Sequence, residues 1–513
     1  MPPLSETYSR RRFLSALAVG AASGVASKEW SDSRKNEKPF VFNGTITEAM
    51  DKSYTEKIDY APGLHKEYPP ELLAQLQEFL VLQGQRIGSY STGFSGEEKG
   101  LVNRSVVQTE GFNVEQSRKL QKKTWEVLKK ILGDSHEYEE DYYIHALTYT
   151  FPRFLAAYGI FAKGLTFAQG DLDADVLTIE DILFRFYEID RVVSTDLFRW
   201  GKQIRRDVVY INGVVPGIDQ TQFDSKFPNS EAQTVFKNVL VFRKEYLRAG
   251  EEFSEQNRRG DFDAYKQVTL VDLVELLEEK GDSKEARMGI LQILTYKKLL
   301  DEDLQQWQWT DRILEHETGH LVEQSDPRFA AYFSSASMSK FSAYQIEKFE
   351  KRTKDEMAAL ISELRYTENK LPSLKFALEW QNNALDKGYA YVKATQWIFD
   401  KIFAILCANP DAYGFQISSQ IHLSIESQIM VRFVDFLDSP KFLDVMDLVK
   451  KDFEAMYATE SFKKEIGDVF NIHPPVPSGT SNFLCTAATA AIAGSVAYSL
   501  LGFLQRKEEV KKQ

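Results

Sequence analysis

The apolar residues of this chain recur three and four apart over long stretches, a period that commits most of it to amphipathic helix. Leu72, Leu73, Leu76, Phe79 and Leu80 follow Pro69-Pro70 in this way, as a helix entered from an extended approach does. The same spacing runs from Ile290, Leu291 and Leu294 on to Leu304. It returns at Met357, Leu360, Ile361 and Leu364, and at Val445, Leu448, Phe453 and Met456. With 16 prolines in 513 residues, little interrupts these runs. One segment departs from the period: Val208 to Ile211 and Val214-Val215 flank Asn212-Gly213, a pair suited to a two-residue type I′ turn, so a small β-hairpin is expected there.

Both ends carry membrane-directed patterns. Ser9-Arg10-Arg11-Arg12-Phe13-Leu14 stands before a weakly apolar run from Ser15 to Ala26, a charged head on a short apolar segment. It resembles a bacterial twin-arginine export signal, which implies translocation of an already folded protein, often with its cofactor bound. The other reading of the same residues is an Arg/Ser-rich mitochondrial presequence. Phe483 to Leu504 contains no charge and, as a helix, is long enough to cross a hydrocarbon core of about 30 Å. Ala487, Ala491, Ser495 and Ser499 form a small-residue stripe on it, suited to a helix partner or a second copy of the chain. Arg506, Lys507, Lys511 and Lys512 place the tail in the cytoplasm or its equivalent and the body on the far side.

The expected fold is therefore all-α, a large helical ectodomain with a small β-hairpin and one C-terminal transmembrane helix. Its divisions are a signal over residues 1–27, a helical region over 28–207 and a hairpin and loop over 208–261. A second helical region over 262–472, a linker over 473–482, an anchor over 483–504 and a basic tail over 505–513 complete it. A hydrophobic share of 43% is enough for a substantial core. The net charge of −12, without a cluster of excess Lys or Arg in the body, excludes a general nucleic-acid surface. Of the two cysteines, Cys485 falls in the anchor, which leaves Cys407 without a framework partner.

The pentad from His316 to His320 carries the clearest chemistry. Residues four apart share a helix face, so His316 and His320 are positioned to offer two imidazole nitrogens to one Zn²⁺, with Glu317 beside them as general base. The stretch His316-Glu317-Thr318-Gly319-His320-Leu321-Val322-Glu323-Gln324 resembles the motif helix of all-helical zincin peptidases such as the Taq-type carboxypeptidases and the oligopeptidases. That resemblance implies His316 and His320 as ligands, Glu317 as the base, and a third ligand from a following helix, for which Glu350 and Glu347 are the candidates. It implies a membrane-anchored zinc-dependent peptidase. The residues before His316 read as helix back to about Ala286.

Two other readings use the same residues. Trp309, Ile313, His316 and His320 also fit a core-facing stripe with hydrogen-bonded histidines, in which case the protein is a membrane-anchored helical scaffold and binds no metal. Alternatively, Asp141 with His145, Glu317 with His320 and His422 with Glu426 each pair a carboxylate and an imidazole on one helix face. Gathered in a bundle, they would hold an Fe or Mn pair for oxidoreductase chemistry.

Overall fold

The computed structural model describes residues 57–61, 67–89, 114–171, 176–221, 232–235, 237–280, 283–302, 304–325, 341–382, 389–420 and 422–457. They form two compact units, divided between Glu245 and Tyr246. The first opens with helices α1 (Pro70–Ser89), α2 (Val114–Leu132), α3 (Glu140–His145) and α4 (Phe151–Ala157), the last two joined by a single π-helical stretch, Ala146–Thr150. Five strands follow: β1 (Ile160–Asp171), β2 (Val176–Arg199), β3 (Lys202–Val214), β4 (Ala232–Val235) and β5 (Asn238–Phe242). They lie in the order β1-β2-β3-β5-β4, antiparallel except for the parallel pair β3-β5.

This sheet overturns the all-α expectation, because residues assigned to a helical region up to 207 are strand from Ile160 onward. The physical reason is a period of two inside β2. Phe184 and Phe186 are buried and stack at 6.3 Å with an interplanar angle of 7°, while Arg185 between them is only half-buried. Both faces of the strand are apolar. Phe184 and Phe186 join a core with Leu76, Phe79, Trp125 and Phe151, and Tyr187 and Ile189 join a second with Phe161, Val209, Leu240 and Phe242. Apolar residues on both faces blur the alternation and let the segment pass for helix.

The hairpin expectation is corrected as well. Asn212-Gly213 lies within β3, and the tight turn is Trp200-Gly201, both at positive φ (45° and 74°), between the paired residues Arg199 and Lys202. β2 is long because its two halves serve different neighbours: residues up to Glu188 pair with β1, and residues from Tyr187 onward pair with β3. On the edge that β3 leaves uncovered, side-chain amides take the place of a strand. Gln83 of α1 donates to the Ile182 carbonyl and accepts from Phe184 N at 3.1 Å. Gln220 accepts from Phe186 N at 2.8 Å and donates to its carbonyl at 3.0 Å. The Phe186 carbonyl also accepts from Val215 N at 3.1 Å, so the buried backbone groups of this edge are paired.

Helix α5 (Arg243–Leu247) carries the chain into the second unit, which is helical throughout its described residues. It contains α6 (Glu251–Arg259), α7 (Asp263–Gln267), α8 (Leu270–Lys280), α9 (Lys284–Asp301), α10 (Gln306–Gln324), α11 (Phe341–Tyr366), α12 (Leu371–Asn382), α13 (Tyr389–Ala408), α14 (Ile425–Phe436) and α15 (Pro440–Tyr457). One expected period is realised in full, with Met357, Leu360, Ile361 and Leu364 all buried on α11, whereas Leu448 of the Val445 to Met456 run is exposed and Leu304 lies beyond the end of α9. The helix read back from His316 to Ala286 is instead two, α9 capped at its start by Ser283 and α10 entered at Gln305, whose N–H donates to Gln308 Oε1 at 2.7 Å. No helix among the described residues is long and apolar enough to cross a membrane. The signal over 1–27, the anchor over 483–504 with its stripe of Ala487, Ala491, Ser495 and Ser499, and the basic tail lie outside the described residues.

The Trp200-Gly201 turn is open to test. A β-branched residue at positive φ costs about 1–2 kcal/mol, so Gly201→Val should lower the unfolding midpoint of the first unit, whereas Gly213→Val, in extended strand with open space around it, should not. Urea titration followed by Trp fluorescence measures both; equal effects would reject this assignment of the turn.

Candidate metal centre

Helices α10 and α11 meet at Gly319. A Cβ there would stand 2.5 Å from Ala359 Cα, 2.8 Å from Ser362 Cβ and 2.9 Å from the Ala358 carbonyl, so only glycine permits the approach. The contact fixes which side chains face each other. Glu356 is three residues before Ala359 and Glu363 four after it, so both carboxylates lie on the face of α11 turned toward the histidines. The His316 and His320 rings sit edge to face with centroids 5.0 Å apart, and His316, Glu317 and His320 present potential donor atoms within 4.8 Å of one another.

Glu356 Oε2 lies 3.4 Å from His316 Nε2 and 3.8 Å from His320 Nε2. The other nitrogen of each ring faces a different acid. His316 Nδ1 donates to Glu363 Oε2 at 2.9 Å, and His320 Nδ1 is 2.8 Å from Asp355 Oδ1, close in distance but off the line of a hydrogen bond. Glu363 is approached in turn by Arg312 Nη1 at 3.6 Å, whose guanidinium lies 3.5 Å from the centre of the Phe376 ring. Glu356 Oε2 thus stands near both Nε2 atoms, and a second acid lies beside each Nδ1.

The electrostatics favour positive charge there. Burial alone would lower the His316 pKa, yet Glu356 and Glu363 outweigh it and push the imidazole up to about 10. Burial likewise opposes charge on His320, and Asp355, Glu356 and Glu317 push it up to about 9. Both histidines are under a tenth exposed. Metal ligation fits the same donors. With bonds near 2.0–2.2 Å, tetrahedral neighbours stand about 3.3–3.5 Å apart, a range that the His316 Nε2–Glu356 Oε2 separation of 3.4 Å meets and the His320 Nε2–Glu356 Oε2 separation of 3.8 Å exceeds, and carboxylates behind metal-binding imidazoles fix the tautomer that leaves Nε2 free to ligate.

Of the residues singled out by sequence, the structure gathers His316, Glu317 and His320. Glu347 and Glu350 belong to the first half of α11, and their side chains lie outside the described residues; the acids that face the histidines are Asp355, Glu356 and Glu363. The residues of the three-pair constellation have separate surroundings within their own units. His145 is buried beside Tyr149 in the first unit, the Asp141 side chain lies outside the described residues, His422 is exposed, and Glu426 pairs with Arg287 at 3.2 Å. Among the described residues, the one three-residue group with metal-ligand spacing is His316, Glu317 and His320. A signal for Glu356 and Glu363 did exist: each immediately precedes an apolar stripe residue, Met357 and Leu364, so a buried acid was written into the helical period.

No family model, no curated protein and no solved structure matches this chain.

The role assigned to Gly319 predicts an inverted propensity effect. Alanine is the better helix former by about 1 kcal/mol, yet Gly319→Ala should destabilise the second unit by about 1–3 kcal/mol through overpacking against Ala359. A denaturant midpoint that stays put or rises would show that the helices do not need this approach.

Proposed function

We propose that this protein is a zinc-dependent hydrolase acting on peptide bonds, with His316, His320 and Glu356 as the metal ligands and Glu317 as the general base. The observation that carries this reading is the grouping of His316, Glu317 and His320 within 4.8 Å, with Glu356 Oε2 at 3.4 Å from His316 Nε2 and 3.8 Å from His320 Nε2 and a further carboxylate beside each Nδ1. Two imidazoles and one carboxylate are a ligand set used by catalytic zinc, which keeps a further position for water or substrate. Zinc held there supplies Lewis acidity and lowers the pKa of water. Glu317 follows His316 directly and is positioned to accept a proton beside the ligands and return it to the departing amine. Glu363 and Asp355 orient the rings, and Arg312 holds Glu363 in place.

A second reading has one observation behind it. Both histidines also suit imidazolium held among buried acids, so the cluster would serve as a structural ion network in a helical scaffold. Metal content separates the two.

Protein purified from its native compartment without chelator should contain close to one equivalent of zinc by mass spectrometry. His320→Gln and Glu356→Gln should lose it, while Glu350→Gln should retain it. Retention of zinc by Glu356→Gln would remove that residue from the ligand set, and absence of zinc from the wild type would leave the ion network.

Glu317→Gln keeps size and helix while removing the base. The variant should hold its zinc and lose peptide hydrolysis by about 10²–10⁴-fold, assayed on a fluorogenic peptide mixture. Undiminished turnover with metal in place would strip Glu317 of its role.

A further inference from the structure

Lys163 of β1 and Arg185 of β2 are direct cross-strand partners in the first unit. Like charges so opposed destabilise a sheet, and both side chains line a cavity of about 250 Å³. The cavity adds a third cation, Lys244, against one acid, Glu245. Aromatic rings hold two of the cations: Lys163 Nζ lies 4.8 Å from the centre of Phe242 and the Arg185 guanidinium 5.4 Å from that of Tyr187. Burial depresses the Lys163 ammonium to about 8, with Arg185 adding to the effect and Glu245 opposing it.

The sheet is irregular at the same place. Glu188 pairs with Gly213 and Ile189 with Ile211, so Asn212 is an extra residue on β3, and a Cβ on Gly213 would meet nothing within 4 Å. β-Bulges of this kind recur beside binding sites, where they redirect side chains. Asn212 and Gly213 both line the cavity. The Asn-Gly pair that reads as a turn in the sequence therefore marks an opening in the sheet.

We propose that this cavity binds a small organic oxyanion, a carboxylate or phosphate monoester with an apolar ring, its charged head against Lys163, Arg185 and Lys244 and its ring against Tyr187 and Phe242. An anion would relieve the repulsion between Lys163 and Arg185, and the net charge of the lining selects against cations. The volume suffices, since a cavity of about 150 Å³ already accepts benzene. This site does not depend on the metal reading of the second unit.

The test is calorimetric titration of the full chain, at low ionic strength, with phenyl phosphate, benzoate and uncharged benzyl alcohol. At least one of the two anions should bind saturably, about tenfold or more tighter than the alcohol, and their ranking distinguishes a phosphate from a carboxylate ligand. Lys163→Met or Arg185→Gln should weaken binding by about tenfold or more. Where a strand substitution unfolds the sheet, Glu245→Gln reads the same field from the other direction and should tighten anion binding. The proposal is overturned if neither anion binds, if benzyl alcohol binds as well as the anions, or if affinity is unchanged in both Lys163→Met and Glu245→Gln.

Discussion

The approach of α11 to Gly319 is the constraint on which the candidate centre depends. A side chain at that position would collide with the backbone of Ala359, and the helices would have to part. Separation by even an ångström would withdraw Glu356 from the two Nε2 atoms, because carboxylate reach from a helix is short and its direction is set by the helix rotation. The unfavourable helix propensity of glycine, about 1 kcal/mol, is the local cost of that approach. The neighbouring side chains agree with this reading: Ala358, Ala359 and Ser362 are small where α11 meets α10, and the long acids stand one turn to either side.

The close pair of helices creates an electrostatic problem that its neighbours answer. Glu317, Glu356 and Glu363 are all buried, with Asp355 partly so, and such a set of acids is unfavourable without compensating positive charge. Arg312 supplies some of it, with its guanidinium carbon 3.5 Å from the centre of the Phe376 ring. The two histidines add more as imidazolium, the form their raised pKa values favour. One turn beyond His320, Glu323 is paired with Lys450 of α15, so the next buried acid on α10 is neutralised separately and does not compete for the centre.

The sheet in the first unit follows a different logic, that of edges. β2 outruns its partners on both sides, and glutamine side chains from α1 and from the segment after β3 complete its hydrogen bonding at Ile182 to Phe186. With the ladder finished in this way, the sheet tolerates a bulge at Asn212 of β3 and an opposed pair of cations at Lys163 and Arg185. Both are departures from ideal pairing, and both border the same cavity.

Local sequence determined the parts whose geometry is local. The spacing of Met357, Leu360, Ile361 and Leu364 fixed a helix, and the spacing of His316, Glu317 and His320 fixed one helix face, because 3.6 residues per turn is a property of the backbone alone. The same local reasoning offered Glu350 and Glu347 from a following helix and did not single out Glu356, since the rotation of α11 is set by where Ala359 can touch Gly319, a contact between residues 40 apart in the chain. It misread β2 for a related reason. A strand with apolar residues on both faces has little alternation to detect, and its backbone becomes favourable only once β1, β3, Gln83 and Gln220 arrive to pair it. Asn212-Gly213 carries a strong turn signal and still lies in a strand, because the pairing of Gly213 with Glu188 of β2, and of Val208 to Ile211 with β5 just before it, outweighs the preference of two residues. Helix period and histidine spacing are short-range, and the sequence holds them; the acids that face the histidines, the strand and the turn depend on surfaces that meet only after the chain has folded.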